Sequence, residues 1–331
     1  MICWHTMDAW TVLAGRERLP FQLMGFVGGW AAPMFLFLAG VAMPFAAQAR
    51  MARGDTWPQA SRALARRGWQ VFLIAHLFRL QSFLLNPTAR WNGILKPDIL
   101  NVLGLGMVVT AWCWRRATSS AAALRWLLLP ALIVVFVVTP LSRIWWWPTL
   151  LHPRLEAYIR PVGNMGVFSL FPTVAYVFIG AWIGSILVRR SVADVTFHKR
   201  LGVMGAGALA IGLAAMFVPF GPGSSLALAA VILMRIGAIT LALVLVWAWM
   251  QRRPTARSSP FLVFGRTSLF VYWVHVELAY GVFSYPIRHA LPVGWALLAF
   301  AVFTLAMLGL AVLWERRPRG PLVPPHMVAR T

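Results

Sequence analysis

Apolar residues in this chain come in runs of about 17 to 25, long enough to cross a hydrocarbon core of about 30 Å, and short charged or Pro/Gly-rich stretches separate them. The runs place spans near residues 23–47, 68–85, 98–114, 126–142, 166–188, 201–219, 226–250, 261–281 and 293–314. The predicted fold class is therefore all-α: a polytopic integral membrane helical bundle with nine full transmembrane helices.

Arginines fall on alternate loops, which orients the bundle. Arg50, Arg53, Arg62, Arg66 and Arg67 follow the first span, and Arg115, Arg116 and Arg125 follow the third. Arg189, Arg190, Lys199 and Arg200 follow the fifth, Arg252, Arg253 and Arg257 the seventh, and Arg316, Arg317 and Arg319 the ninth. By the excess of Lys and Arg on cytoplasmic loops, these loops face the cytoplasm. Opposite loops hold Glu17, Asp98 and Glu156, with Trp145, Trp146 and Trp147 as an interfacial belt. Residues 1–22 then start at the outer face, and Met1-Ile2-Cys3-Trp4 reads as the outer end of a truncated first helix. The expected organisation is one transmembrane domain over 1–315 and a cytoplasmic Arg/Pro-rich tail over 316–331. The expected location is the cell inner (plasma) membrane, multi-pass, with the C-terminus cytoplasmic.

Composition serves mainly to exclude. Apolar residues make up 60% of the chain and charged residues 11%, against about 25% charged in soluble proteins. A formal charge of +22, from 30 Lys and Arg against 8 Asp and Glu, can mark nucleic-acid binding. Here the bases are spread over alternate loops and not gathered on one module, so no nucleic-acid partner is expected and membrane lipid is. Cys3 is expected near the outer face and Cys113 near the inner one, beyond the roughly 5.5 Å between Cα atoms that a disulfide needs. No nucleotide-binding Gly-rich loop or zinc-ligand spacing is present.

Candidate chemistry must sit among polar groups at membrane depth, which are expensive to bury and mark function by default. His5 and Asp8 lie beside the first helix end, His76 and Arg79 in the second full span, and Asp98 and Asn101 open the third. Arg235 lies in the seventh, and Tyr272, His275 and Glu277 lie toward the outer end of the eighth. Three pairs are spaced by three residues and share one face of a regular helix: His5 with Asp8, His76 with Arg79, Tyr272 with His275. Asp8 is placed to hold the His5 imidazole in one tautomer and to raise its basicity, as a general base requires. Against this stand a solvated loop histidine for His5, and a structural ion-pair network for Arg79, Arg235 and the acids. No two histidines show a metal-ligand spacing, so no metal is expected. The same intramembrane charges would serve a transporter or flippase of a small polar or lipid-linked substrate, although no symmetry of two halves supports one.

The run Ala32-Pro33-Met34-Phe35-Leu36-Phe37-Leu38-Ala39-Gly40-Val41, preceded by His-x-x-Asp at a helix end, carries a resemblance, as do two later stretches. These are Pro97 to Leu105, entering a span, and Phe264 to His275, in the penultimate helix. Together they resemble the heparan-α-glucosaminide N-acetyltransferase catalytic-domain family of the transmembrane acyltransferase superfamily, which also holds the membrane acyltransferase type 3 proteins.

The resemblance implies transfer of an acyl group, acetyl first of all, from acyl-CoA on the cytoplasmic side to a sugar hydroxyl or amine at the extracytoplasmic face. Acyl-CoA would be a co-substrate with no tightly bound cofactor, and the other partner an extracytoplasmic glycan. A homo-oligomer is compatible with such a bundle. The superfamily's catalytic histidine matches His5, with Asp8 beside it. His76, Arg79, Asp98, Asn101, Arg235, Tyr272, His275 and Glu277 are then the candidate substrate-binding residues. The essential arginine of the type 3 branch would precede residue 1, and residues 9–22 hold no histidine matching the outer-loop histidine of the glucosamine-acetylating members.

Overall fold

The computed structural model describes residues 1–85, 91–163, 168–191, 193–220, 224–252 and 259–317, without the side chains of Asn92 and Ser225. Arg253, Arg257, Arg319 and residues 318–331 of the expected tail lie outside the described residues. The protein is all-α, 82% helical, with no strand among the described residues.

The helices are α1 (Ile2–Trp10), α2 (Leu19–Gly29), α3 (Ala31–Met51), α4 (Trp57–Leu85), α5 (Ile99–Trp114) and α6 (Ser120–Ile144). Then come α7 (Pro153–Ile159), α8 (Leu170–Leu187), α9 (Val195–Ala215), α10 (Ser225–Arg252), α11 (Pro260–Arg266), α12 (Ser268–Tyr280) and α13 (Val293–Glu315). Among the described residues five stretches are long and apolar enough to cross a membrane: Leu19–Met51, Ser120–Ile144, Leu170–Leu187, Leu226–Arg252 and Val293–Glu315. Of the remaining expected spans, 68–85 lies within the continuous helix α4 and most of 201–219 within α9. The 98–114 span is a helix of 16 residues, and the 261–281 span divides at Thr267, where φ −105° and ψ 15° leave the helical region, into helices of 7 and 13 residues. Helix α6 widens into π turns at Leu124–Leu128 and Val134–Val138. Each precedes a proline, Pro130 or Pro140, whose ring cannot fit under the carbonyl four residues back.

The chain divides into two compact units, one of Met1–Gly28 with the segment from Thr255 onward and the other of Gly29–Pro254. In the second unit, glycines let backbones touch. A Cβ on Gly40 would strike the Val177 carbonyl, and one on Gly180 the Phe37 carbonyl, so α3 and α8 pack backbone to backbone. Gly68 and Gly104 do the same for α4 and α5, where an added carbon on either would lie 2.8 Å from the other's carbonyl oxygen. Without a hydrophobic driving force between helices in lipid, such close approach supplies the dispersion contacts that hold the bundle. Arg160 ties α7 to the end of α6: it pairs with Glu156 at 2.6 Å and donates to the carbonyls of Ser142, Arg143 and Trp145 at 3.0, 3.0 and 2.7 Å. Four-residue-apart spacing sets the pair, and the carbonyls are ones a helix end leaves open.

In the first unit, α1 is a regular helix held along its length. Met7 packs with Phe21, Val293 and Ala296, while Trp10 packs with Ala279 and donates from Nε1 to the Ala279 carbonyl at 3.2 Å. Its C-terminal end is pinned by the segment before α13: the N–H groups of His289 and Leu291 donate to the Ala9 and Trp10 carbonyls at 3.0 and 2.9 Å, and Val12 N–H donates back to Leu291 at 2.9 Å. The rotation of α1 about its axis, and with it the direction of His5, is thereby fixed.

Gly180→Ala should lower the thermal midpoint of the detergent-solubilised protein through about 1–3 kcal/mol of overpacking. Gly207→Ala, whose added carbon meets nothing within 4 Å, should leave it unchanged or raise it slightly by helix propensity. Scanning fluorimetry on the two variants checks this, and equal midpoints would dismiss backbone contact at the α3–α8 crossing.

Candidate functional site

The polar side chains of the first unit converge where α1 faces α12. His5 Nδ1 lies 3.0 Å from His275 Nε2, and the two rings stack with centroids 5.0 Å apart at 11°. His275 is buried, and its Nδ1 lies 2.6 Å from the Val271 carbonyl one turn back on α12. That contact decides the protons. A carbonyl only accepts, so His275 carries its proton on Nδ1 and presents a lone pair at Nε2; His5 must then donate from Nδ1. The remaining nitrogen of His5, Nε2, keeps a lone pair free to take a proton.

Asp8 sits one turn along from His5 but does not hold it. Its Oδ2 accepts from the Tyr280 hydroxyl at 2.8 Å, and its Oδ1 pairs with Arg16 at 3.2 Å. The expected Asp8–His5 couple is therefore corrected to a His275–His5 couple. The physical reason is competition: a guanidinium and a phenol donor occupy the carboxylate, while the Nδ1 edge of His5 is taken by the helix opposite. Arg16 also donates to the Asp8 carbonyl at 2.7 Å and approaches His289 Nδ1 at 3.4 Å. Tyr280 stands edge-on to His5, with ring centroids 5.5 Å apart, and Tyr272 edge-on to His275 at 5.7 Å. Tyr272 and Glu277 are both buried on α12.

A separate polar cluster belongs to the second unit. Asp98 is the N-cap of α5, accepting from Ile99 N–H at 2.5 Å while Asn101 Oδ1 accepts from Asp98 N–H at 2.9 Å, a reciprocal capping box. The other oxygen of Asp98 pairs with Arg79 Nη2 at 2.8 Å. With its oxygen committed, the fully buried Asn101 turns its amide nitrogen to His76 Nδ1, 3.1 Å away. The same ring nitrogen is 3.0 Å from the Phe72 carbonyl, and it cannot accept from one and donate to the other. The amide N–H of Asn101 has no alternative here, whereas the Phe72 carbonyl lies within α4 and takes a helical hydrogen bond, so His76 accepts at Nδ1 and keeps its proton on Nε2. That proton faces the Tyr158 oxygen at 3.3 Å.

Charge gathers around this network. Lys96, in the segment before α5, lies within electrostatic range of Arg79, Arg154 and Asp98; burial first, and the two arginines next, pull its ammonium below the usual lysine range. Burial pushes the Tyr158 phenol up to about 12, with Asp98 adding to the rise and Arg79 opposing it. Arg235, on α10, acts instead on the Tyr176 hydroxyl. The sequence reading thus found His5, Asp8, Tyr272, His275 and Glu277 in one unit and His76, Arg79, Asp98, Asn101 and Arg235 in the other. It missed Arg16 and Tyr280 in the first cluster, and Lys96, Arg154 and Tyr158 in the second. The basic residues looked like ordinary loop charges, and the bonds that place Tyr280 on Asp8 and Tyr158 on His76 run to other helices. No group of three His, Cys, Asp or Glu among the described residues could hold a metal ion.

A family profile described as heparan-alpha-glucosaminide N-acetyltransferase, catalytic, matches residues 1–218. That stretch carries His5, Asp8 and the whole second cluster, while His275 and Tyr280 lie beyond it. No curated protein matches the chain. With about two thirds of its length matched, and its long apolar helices suited to a membrane, the chain belongs to the heparan-α-glucosaminide N-acetyltransferase catalytic family, a family of membrane acetyltransferases.

Proposed function

We propose that the protein transfers an acyl group, in the first instance acetyl, from acyl-CoA to a sugar hydroxyl or amine at the extracytoplasmic face of the inner membrane. The observation that carries this reading is the free Nε2 lone pair of His5, held in place by His275, in a chain of an acetyltransferase family. Nε2 takes the proton as the acceptor's oxygen or nitrogen attacks the thioester carbonyl carbon. The tetrahedral intermediate collapses with cleavage of the carbon–sulfur bond, and the His5 imidazolium returns the proton to the departing CoA thiolate. His275 acts through His5 as a positioning residue, and the Asp8–Tyr280–Arg16 group holds α1 against α12. The second cluster is the proposed place of further substrate contacts. The same reading includes nine full spans and cytoplasmic loops where the arginines gather.

Purified protein in lipid, given radiolabelled acetyl-CoA and a panel of cell-envelope sugars, should yield labelled sugar. His5→Ala should cut that turnover about 10²- to 10⁴-fold, the share of a general base, while the protein stays monodisperse. Unchanged turnover in His5→Ala would remove the mechanism.

His275→Gln keeps an acceptor for His5 Nδ1 and should hold KM near its original value with a moderate fall in kcat. His275→Leu removes the acceptor and should cost about tenfold more, with the pH profile of kcat displaced. Equal kinetics for the two variants would reduce His275 to packing.

In a background without Cys3 and Cys113, single cysteines at Arg53 and Ala193 should resist an impermeant maleimide in intact cells and react after permeabilisation. Labelling of either from outside would reverse the topology.

A further inference from the structure

We propose that Arg79, Lys96, Arg154 and Tyr158 form a binding site for a tetrahedral oxyanion of the phosphate class, separate from the His5 base and not needed to explain it. Three elements of one unit supply the groups: α4 gives Arg79, the segment before α5 gives Lys96, and α7 gives Arg154 and Tyr158. The nearby carboxylates are spoken for. Glu156 is paired with Arg160 at 2.6 Å, and Asp98 is engaged by Arg79 and by the cap of α5. With Lys96 protonated, it and the two guanidiniums within its electrostatic range therefore face one carboxylate, Asp98.

Donors are left without acceptors. Arg79 Nε is buried with no hydrogen-bond partner, although Nη2 of the same guanidinium is held by Asp98. The Lys96 ammonium has neither a hydrogen bond nor an ion pair among the described residues. Tyr158 receives the Nε2 proton of His76, in the chain of bonds that begins at the α5 cap, so its own O–H is free to donate outward. The remaining question is the shape of the anion. A carboxylate offers two oxygens, whereas a guanidinium edge, an ammonium, a second guanidinium and a phenol come from three elements; three or four oxygens in tetrahedral array match that set better. The phosphate can come from a soluble ligand or from a membrane lipid headgroup, and the chemistry of the site is the same for both.

The test uses the full chain in nanodiscs. In neutral phosphatidylcholine, radiolabelled pyrophosphate should bind saturably and resist competition by chloride at equal ionic strength. Lys96→Gln and Arg154→Gln, which leave the Asp98 pair and the α5 cap intact, should each weaken binding about tenfold or more, as loss of a charge-assisted hydrogen bond does. A second arm adds phosphatidylglycerol and counts lipid retained by native mass spectrometry. Pyrophosphate binding that the two variants abolish supports the site with a soluble ligand. Phosphatidylglycerol retention that they abolish, without pyrophosphate binding, supports it with a headgroup. Monodisperse variants that bind as the original chain does, or an original chain that binds neither probe, would overturn the proposal. Acetyl transfer by the same preparations keeps this outcome distinct from failure of the His5 mechanism.

Discussion

A polar group inside hydrocarbon has no water to fall back on, so its partner must come from the chain itself. Small hydroxyls meet that demand locally. Thr6 bonds the Ile2 carbonyl at 3.0 Å, Ser185 the Ala181 carbonyl at 2.7 Å and Thr304 the Phe300 carbonyl at 2.8 Å, each within its own helix. Residues that instead reach another helix tie the bundle's geometry to their own: His5 to His275, Asp8 to Tyr280, Asn101 to His76, Arg79 to Asp98. This divides the polar side chains physically. Those closing on their own helix fill local needs, and those crossing between helices include the candidate chemistry beside structural ties such as Trp10 to Ala279 and Ser61 to Ala111.

Crossing bonds of about 3 Å are possible only where the helices are already fixed, and glycine packing does that in the second unit. Gly68 faces Gly104 across α4 and α5. From that contact His76 lies about two turns up α4 and Asn101 about one turn back on α5, on antiparallel helices, so close packing at the glycines carries both side chains into reach. In the first unit the same service is done by backbone bonds from residues 289–291 to the end of α1. The catalytic candidate and the anion cluster are thus positioned by different devices, van der Waals contact in one and backbone hydrogen bonding in the other.

Much of this was legible in the sequence because lipid imposes length and apolarity on whatever crosses it. Five of the long apolar runs stand as continuous stretches suited to a membrane, and the polar side chains picked out against that background all fall in the two clusters or beside Tyr176. The break at Thr267 was not legible, since Phe264 to His275 is apolar enough to continue as one helix and only the backbone angles show the division. Partner choice was not legible either. Spacing along α1 pointed from His5 to Asp8, three residues on, but the bond runs to a residue 270 positions away. Local periodicity says which side chains share a face and nothing about what the face meets. Lys96, Arg154 and Tyr158 were hidden for the same reason, being unremarkable until α4, α5 and α7 bring them together.

Replacing a carboxylate by an imidazole as the partner of the base changes what the partner does. A carboxylate beside His5 would fix its tautomer and also pair with the imidazolium formed as the acceptor loses its proton. His275, with its Nδ1 proton committed to the Val271 carbonyl, fixes the tautomer equally well but brings no negative charge. The unit's own carboxylate at this point, Asp8, is already neutralised by Arg16. Among the described residues no fixed anion contacts His5 to oppose a positive charge there, and in the proposed transfer the only new negative charge near it would be that of the reacting thioester. Under that proposal the protonated state would be favoured only while the tetrahedral oxyanion or the departing thiolate is present, which would direct the proton back to the leaving group. The substrate itself would then supply the counter-charge, and His275 the direction.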